Sequence, residues 1–196
     1  MIKAVDVDES LLTDEEPGTY VLRLAESKAR ACSAWAHPGQ TILAADTTVV
    51  NGGSILGKPK DRAQAVEMLT ALRGHTHQVL TGVAALRVSD GTLVTDLCIT
   101  DVPMRIYSDE EIEAYVASGD PLDKAGAYGI QNMQFHPVEG MRGCYASVMG
   151  LPLCHVTRSL RKLGMAPMRD IAAECQSGLD YDCPISTAVL GGEMIG

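Results

Sequence analysis

The sequence predicts an α/β fold built on one mixed β-sheet with flanking helices. Three observations predict it. Amphipathic helical stretches alternate with apolar runs rich in β-branched residues. One such run, Thr41 to Val50, is closed at once by the turn signal Asn51-Gly52-Gly53. A second pair of runs is joined by Asp90-Gly91, a hairpin signal. Interleaved strands and helices call for a sheet covered by helices, and an internal hairpin adds antiparallel neighbours to it.

The elements follow in order. Ile2 to Val7 alternates weakly and reads as a short strand, followed by an acidic stretch that ends at Pro17-Gly18. A helix from about Tyr20 to Trp35 carries the apolar stripe Val21, Leu24, Ala25, Cys32 and Trp35. Lys28 falls on that stripe, so it either snorkels outward or points into a polar site beside the core. Thr41 to Val50 is a buried strand interrupted by Asp46. A second helix opens with Asp61 as N-cap and Gln64 completing a capping box. It buries Ala65, Val66, Leu69 and Leu72 and stops at Gly74.

His75 to Val88 is a strand, and Leu93 to Tyr107 one or two more, with Pro103 placing the latter at an edge or a bulge. Ser108 to Glu111 is a second capping box, opening a helix that turns Ile112, Tyr115 and Val116 inward and ends at Gly119. A loop from Asp120 to Gln131 precedes a strand-like stretch at Phe135 to Val138. The last strong helix follows Gly150-Leu151-Pro152, with Leu153, Val156, Thr157, Leu160 and Leu163 on one face. Beyond it only a short helical patch near Asp170 to Cys175 shows a pattern.

A chain of 196 residues makes one ordinary domain or two very small ones, and 46% hydrophobic with 21% charged residues is a globular composition. The 25 acidic residues outnumber the 16 basic ones, for a net charge of -9. That argues against a nucleic-acid polymer as partner, although a local cluster of Lys or backbone N–H groups can still hold a phosphate. No apolar run is long enough for a bilayer. Met1 leads directly into Asp6, Asp8 and Glu9 with no secretory pattern, which predicts a cytoplasmic protein. The six cysteines (32, 98, 144, 154, 175 and 183) show no C-x-x-C spacing and are expected to be reduced and partly buried, without a structural metal.

Several residues stand out chemically. Asp46 lies within a buried strand, where a carboxylate must be hydrogen-bonded, paired or metal-bound; the plainer alternative is a strand-end Asp bonded to Thr47 and Thr48. Lys58, between Gly57 and Pro59, is held on a stiff loop and suits phosphate contact as a point charge, or else is a solvated surface lysine. Lys124 sits beside Ala125-Gly126-Ala127, where small side chains admit a ligand close to the backbone. Asp8 and Glu9 could hold a divalent cation or form a solvated acidic loop. Together these groups are the inventory of phosphoanhydride chemistry. The sequence has no Walker loop, dinucleotide fingerprint or Ser-centred nucleophile elbow.

The segments Leu43-Ala44-Ala45-Asp46-Thr47-Thr48-Val49-Val50, Gly57-Lys58-Pro59, Asp123 to Gln131 and Val148-Met149-Gly150-Leu151-Pro152-Leu153 resemble, in that order, the Maf family of nucleoside triphosphate pyrophosphatases. The resemblance runs from about Val5 to Gly164. It implies a domain over residues 1–164 and an extension over 165–196, with an elongated fold and a central cleft related in shape to inosine triphosphate pyrophosphatases. It implies hydrolysis of the α–β phosphoanhydride to a nucleoside monophosphate and pyrophosphate, a divalent metal (Mg or Mn), and a homodimer as the common family assembly. By resemblance, Asp46 is the proton acceptor and Lys28 and Lys58 are active-site lysines. Asp8 or Glu9 is an acidic site residue that would share the metal with Asp46, and Lys124 is a further phosphate contact. Thr47 and Gln131 match positions linked to base specificity, in the form of the branch acting on dTTP and UTP. Family members begin with a strand and a Ser-x-Ser-Pro-Arg-Arg motif that this sequence does not show. The resemblance therefore also implies a weakened phosphate grip, with a nucleotide-binding regulator as the alternative to an enzyme and a protein-binding acidic scaffold as a third reading.

Overall fold

The computed structural model describes residues 2–195. At its centre is a four-stranded sheet of β1 (Thr41–Asn51), β2 (Ser54–Leu56), β3 (Thr76–Arg87) and β4 (Leu93–Pro103), in the order β2-β1-β3-β4. Helix α1 (Pro17–Cys32) covers one face, against β1 and β3. Helices α2 (Arg62–Leu72) and α3 (Asp109–Ala117) pack on each other around the main core, which contains Leu69, Leu72, Tyr107, Ile112 and Phe135. The short helix α4 (Tyr145–Val148) and helix α5 (Leu153–Lys162) lie against β3 and β4. Helices α6 (Ile171–Leu179) and α7 (Ser186–Leu190) then pack on α5.

The α/β class with flanking helices is as the sequence predicts, but the sheet is antiparallel at all three pairings, where a mixed sheet was expected. The connections explain this. Gly52 and Gly53, both at positive φ, reverse the chain between β1 and β2, and the Asp90-Gly91 turn does so between β3 and β4. A parallel pair needs a helix crossing a sheet face; α2 instead packs against α3 and the turns at 120–127. Strand β4 is an edge strand with Pro103 at its end, which tolerates a missing donor there.

Asp61 accepts from the Gln64 N–H at 2.8 Å, but the Gln64 side chain reaches the Lys60 N–H at 2.7 Å, one residue short of a reciprocal box. The Ser108–Glu111 box is complete. Three expectations are corrected. Ile2 to Val7 forms no strand and pairs with nothing among the described residues. Phe135 to Val138 contributes only a single bridge from Val138 to Met104, because His136 has φ 45° and Pro137 lacks an N–H. The helix stripe does not stay inside as far as Trp35, which is 53% exposed; Ala29 takes the buried position instead and packs on Ala84.

Helix α5 departs most. One face was expected to be buried, yet Cys154 to Ser159 are all buried. The segment after residue 164 covers the second face. Arg158 makes a fork to Asp96 at 2.7 Å and 2.7 Å and also donates to the Val189 and Glu193 carbonyls. His155 Nε2 lies 3.0 Å from the Ile195 carbonyl. All six cysteines are unbridged.

Candidate active site

Two residues of β1 face opposite ways, as strand alternation requires. Asp46 is in register with Gly82 of β3, and Thr47 with Thr81. The Gly82 position faces α1, where a Cβ would lie only 2.6 Å from the Val21 carbonyl oxygen. This close approach sets Lys28, farther along α1, above Asp46. Strand β2 pairs only with Val49, Val50 and Asn51, so the edge of β1 at Asp46-Thr47 has no strand neighbour on that side among the described residues. A ligand lying across that edge reaches both faces of the strand.

On the α1 face, Lys28 Nζ donates to Asp46 Oδ1 at 2.5 Å and contacts Glu9 Oε1 at 2.8 Å. The Glu9 segment is irregular but pinned: Tyr20 donates to the Glu9 carbonyl at 3.0 Å, and Arg23 forks onto Glu15 at 2.6 Å and 2.7 Å while donating to the Ser10 carbonyl. Burial pushes the Asp46 carboxyl above the usual aspartate range; the Glu9 charge adds to the rise and Lys28 and Lys58 oppose it. Burial alone would lower the Lys28 ammonium, but its hydrogen bonds to Asp46 and Glu9 outweigh that and hold it above the ordinary lysine value. A carboxylate made more basic and steered by a fixed ammonium is suited to accept a proton.

On the other face, Thr47, Lys58, Lys124, Tyr128, Gly129, Gln131 and the loop from Val148 to Gly150 enclose a cavity of about 210 Å3. Lys58 is exposed at its rim and makes no ion pair among the described residues. Gly126, at φ 68°, brings its backbone so close to Val49 that a Cβ would sit 3.0 Å from both Val49 methyls. A side chain at Gly129 would meet Lys124 Cε at 3.0 Å and the Gln131 amide oxygen at 3.4 Å. These small residues keep the Lys124 stem and Gln131 at the cavity wall.

The structure thus brings Lys28, Asp46 and Glu9 together on one face and Thr47, Lys58, Lys124 and Gln131 around the cavity. Asp8 does not join them. Hydrogen bonds from Ser10 hold its exposed carboxyl below the usual range, with Oδ1 accepting from the Ser10 N–H at 2.9 Å. Lys124 lines the cavity, but its ammonium donates to the Asp120 carbonyl at 2.8 Å, Asp120 Oδ1 at 2.9 Å and Asp123 Oδ1 at 2.7 Å, which uses all three of its protons. Among the described residues no three His, Cys, Asp or Glu side chains converge as a metal cage. Sequence reasoning missed Tyr20 and Arg23, which hold Glu9 in place, and Thr81, which bonds Thr47. A Tyr and an Arg three apart on one helix were the available signal; Thr81 sat unnoticed in an apolar run.

The chain belongs to the Maf family, whose description, Maf-like protein, matches residues 1–163. It is 45% identical over 163 residues to the dTTP/UTP pyrophosphatase of Geotalea uraniireducens, covering 83% of this chain and 84% of that protein. The proteins of the same name from Geobacter sulfurreducens and Desulforamulus reducens are 46% and 40% identical over 162 and 164 residues. These alignments cover 82% and 84% of this chain and 84% and 85% of the relatives. Among the described residues no helix is long and apolar enough to cross a membrane.

Proposed function

We propose that this chain is a nucleoside triphosphate pyrophosphatase acting on dTTP and UTP, releasing the monophosphate and pyrophosphate. The observation that carries the reading is the half-buried Asp46 carboxylate, fixed by Lys28 at 2.5 Å and raised in basicity, at a strand edge shared with a ligand-sized cavity. The names of the relatives support the substrate. The cavity, of about 210 Å3, has room for a nucleobase beside Thr47 and Gln131.

In this mechanism the base occupies the cavity beside Thr47 and Gln131, and the triphosphate crosses the open edge of β1. Lys28 holds Oδ1 of Asp46. The second oxygen, which takes no protein hydrogen bond among the described residues, accepts the proton of the attacking water. Lys58, with no carboxylate bound to it among the described residues, neutralises charge that builds on the phosphate oxygens. Lys124 braces the cavity wall through its stem, and a phosphate contact from it would have to displace Asp120 or Asp123.

Asp46 and Glu9 fit a divalent cation such as Mg or Mn. Two carboxylates already flank one ammonium, and a hard cation needs only one or two carboxylates besides substrate oxygens and waters. When bound, the metal would supply Lewis-acid neutralisation of the phosphates. The test is pyrophosphate release from dTTP and dGTP competed at equal concentration. Preferential consumption of dTTP is expected, and preference for the purine would overturn the assignment.

A further inference from the structure

The direction of one hydroxyl proton beside the cavity follows from its neighbours. Thr81 is fully buried. Its hydroxyl lies 2.9 Å from the Ser147 carbonyl oxygen and 2.8 Å from the Thr47 hydroxyl. A hydroxyl carries one proton, and a carbonyl only accepts. Were Thr81 to point its proton at Thr47, two bare oxygen lone pairs would face each other at the 2.9 Å contact. The proton of Thr81 therefore goes to Ser147, and Thr47 must donate its own proton to Thr81. The Thr47 oxygen is left with lone pairs alone. It lines the cavity, 3.5 Å from where a Cβ on Gly150 would stand.

We infer that Thr81 is a positioning residue for base selection: it locks Thr47 as a pure hydrogen-bond acceptor, which admits a pyrimidine with a proton on ring nitrogen N3 and rejects one without. Uracil and thymine carry N3–H; cytosine presents a bare N3 lone pair. An acceptor that cannot rotate its proton outward pairs with the first two and repels the third. A site built to bond one such group discriminates strongly, because the wrong base leaves a buried polar group unpaired. This inference rests on the pyrimidine reading above and goes beyond it by naming the chemical group that is read and the residue that sets the polarity.

The experiment compares kcat/KM for UTP and CTP in the parent chain, Thr81→Ser and Thr81→Val, with pyrophosphate release as the readout and thermal melting as the folding control. Serine keeps the donor and should hold the UTP/CTP ratio within about threefold of the parent; valine removes it, frees the Thr47 proton, and should lower the ratio by ~10-fold or more, mainly through KM. Thr81→Cys, a weak donor of similar size, replaces the valine variant if that fails to fold, with the same fall expected. An unchanged ratio in the valine or cysteine variant, with a discriminating parent, overturns the role of Thr81 alone. Equal loss in the serine variant also overturns it, since that would be a packing effect. A parent that turns over UTP and CTP equally overturns this inference and leaves the pyrimidine reading standing, since that reading fails only if dGTP is preferred to dTTP.

Discussion

Replacing Asp46 with Asn separates chemistry from architecture at this site. The amide has the shape of the carboxylate and can still accept from Lys28 Nζ through Oδ1, at the position now 2.5 Å away. Lys28 also keeps its second partner, Glu9, at 2.8 Å. What disappears is the oxygen that takes a proton. Loss of a general base costs about 100- to 10,000-fold in turnover. Stability should move little, and the sign can be worked out. Asp46 has a folded pKa above its unfolded value, so its charge contributes unfavourably to the fold once pH rises through that range. The variant therefore melts at the same temperature or higher at neutral pH. The same raised pKa places the acid limb of the parent's pH–rate profile above the ordinary aspartate range, and this limb vanishes in the residual activity of the variant. The assay is steady-state pyrophosphate release from dTTP across pH, with circular dichroism melts on both proteins. Turnover within about fivefold of the parent, from a fully folded variant, refutes the assignment of Asp46 as base.

Three further outcomes test the frame around the site. Burial lowers the His77 pKa to about 4, so this histidine is neutral in the fold while the unfolded chain gains a proton near 6.5. Stability is therefore lost as pH falls from about 6.5 towards 4, by a total of about 3 kcal/mol, and His77→Gln should flatten that slope in urea melts. Arg158→Met strands the Asp96 carboxylate, whose side chain is 1% exposed, and should cost about 3–5 kcal/mol in chemical denaturation; a loss under about 1 kcal/mol would mean that water or another donor reaches Asp96. Gly82→Ala forces a methyl to within 2.6 Å of the Val21 carbonyl, so α1 must move and carry Lys28 with it. Expected are a destabilisation of about 1–3 kcal/mol and a fall in turnover, and an alanine variant with parental melting and kinetics would contradict the close helix–strand contact.

Much of this protein was written locally. Helix starts came from short-range chemistry: the Asp61 N-cap and the Ser108–Glu111 box act on neighbouring N–H groups, and both formed. The β1 and β3 strands and the Asp90-Gly91 turn followed from β-branched apolar runs and a residue that tolerates positive φ. Asp46 was conspicuous because a carboxylate in an apolar run demands a partner, and Lys28 because it broke an apolar stripe; the structure joins the two. Tertiary structure alone decided the rest. Residues Ile2 to Val7 alternate like a strand, but a strand exists only where another offers its edge, and among the described residues none pairs with them. Which of Asp8 and Glu9 reaches Lys28 depended on Tyr20 and Arg23 anchoring the preceding loop from a helix that follows it in sequence. Lys124 could be recognised as a cavity residue, but its engagement by Asp120 and Asp123 is a matter of where a turn places two carboxylates. The polarity of Thr47 was invisible for the same reason. It is set by Thr81 and Ser147, 34 and 66 residues apart from their partners in the chain, and hydrogen-bond direction is a property of the assembled network rather than of any one residue.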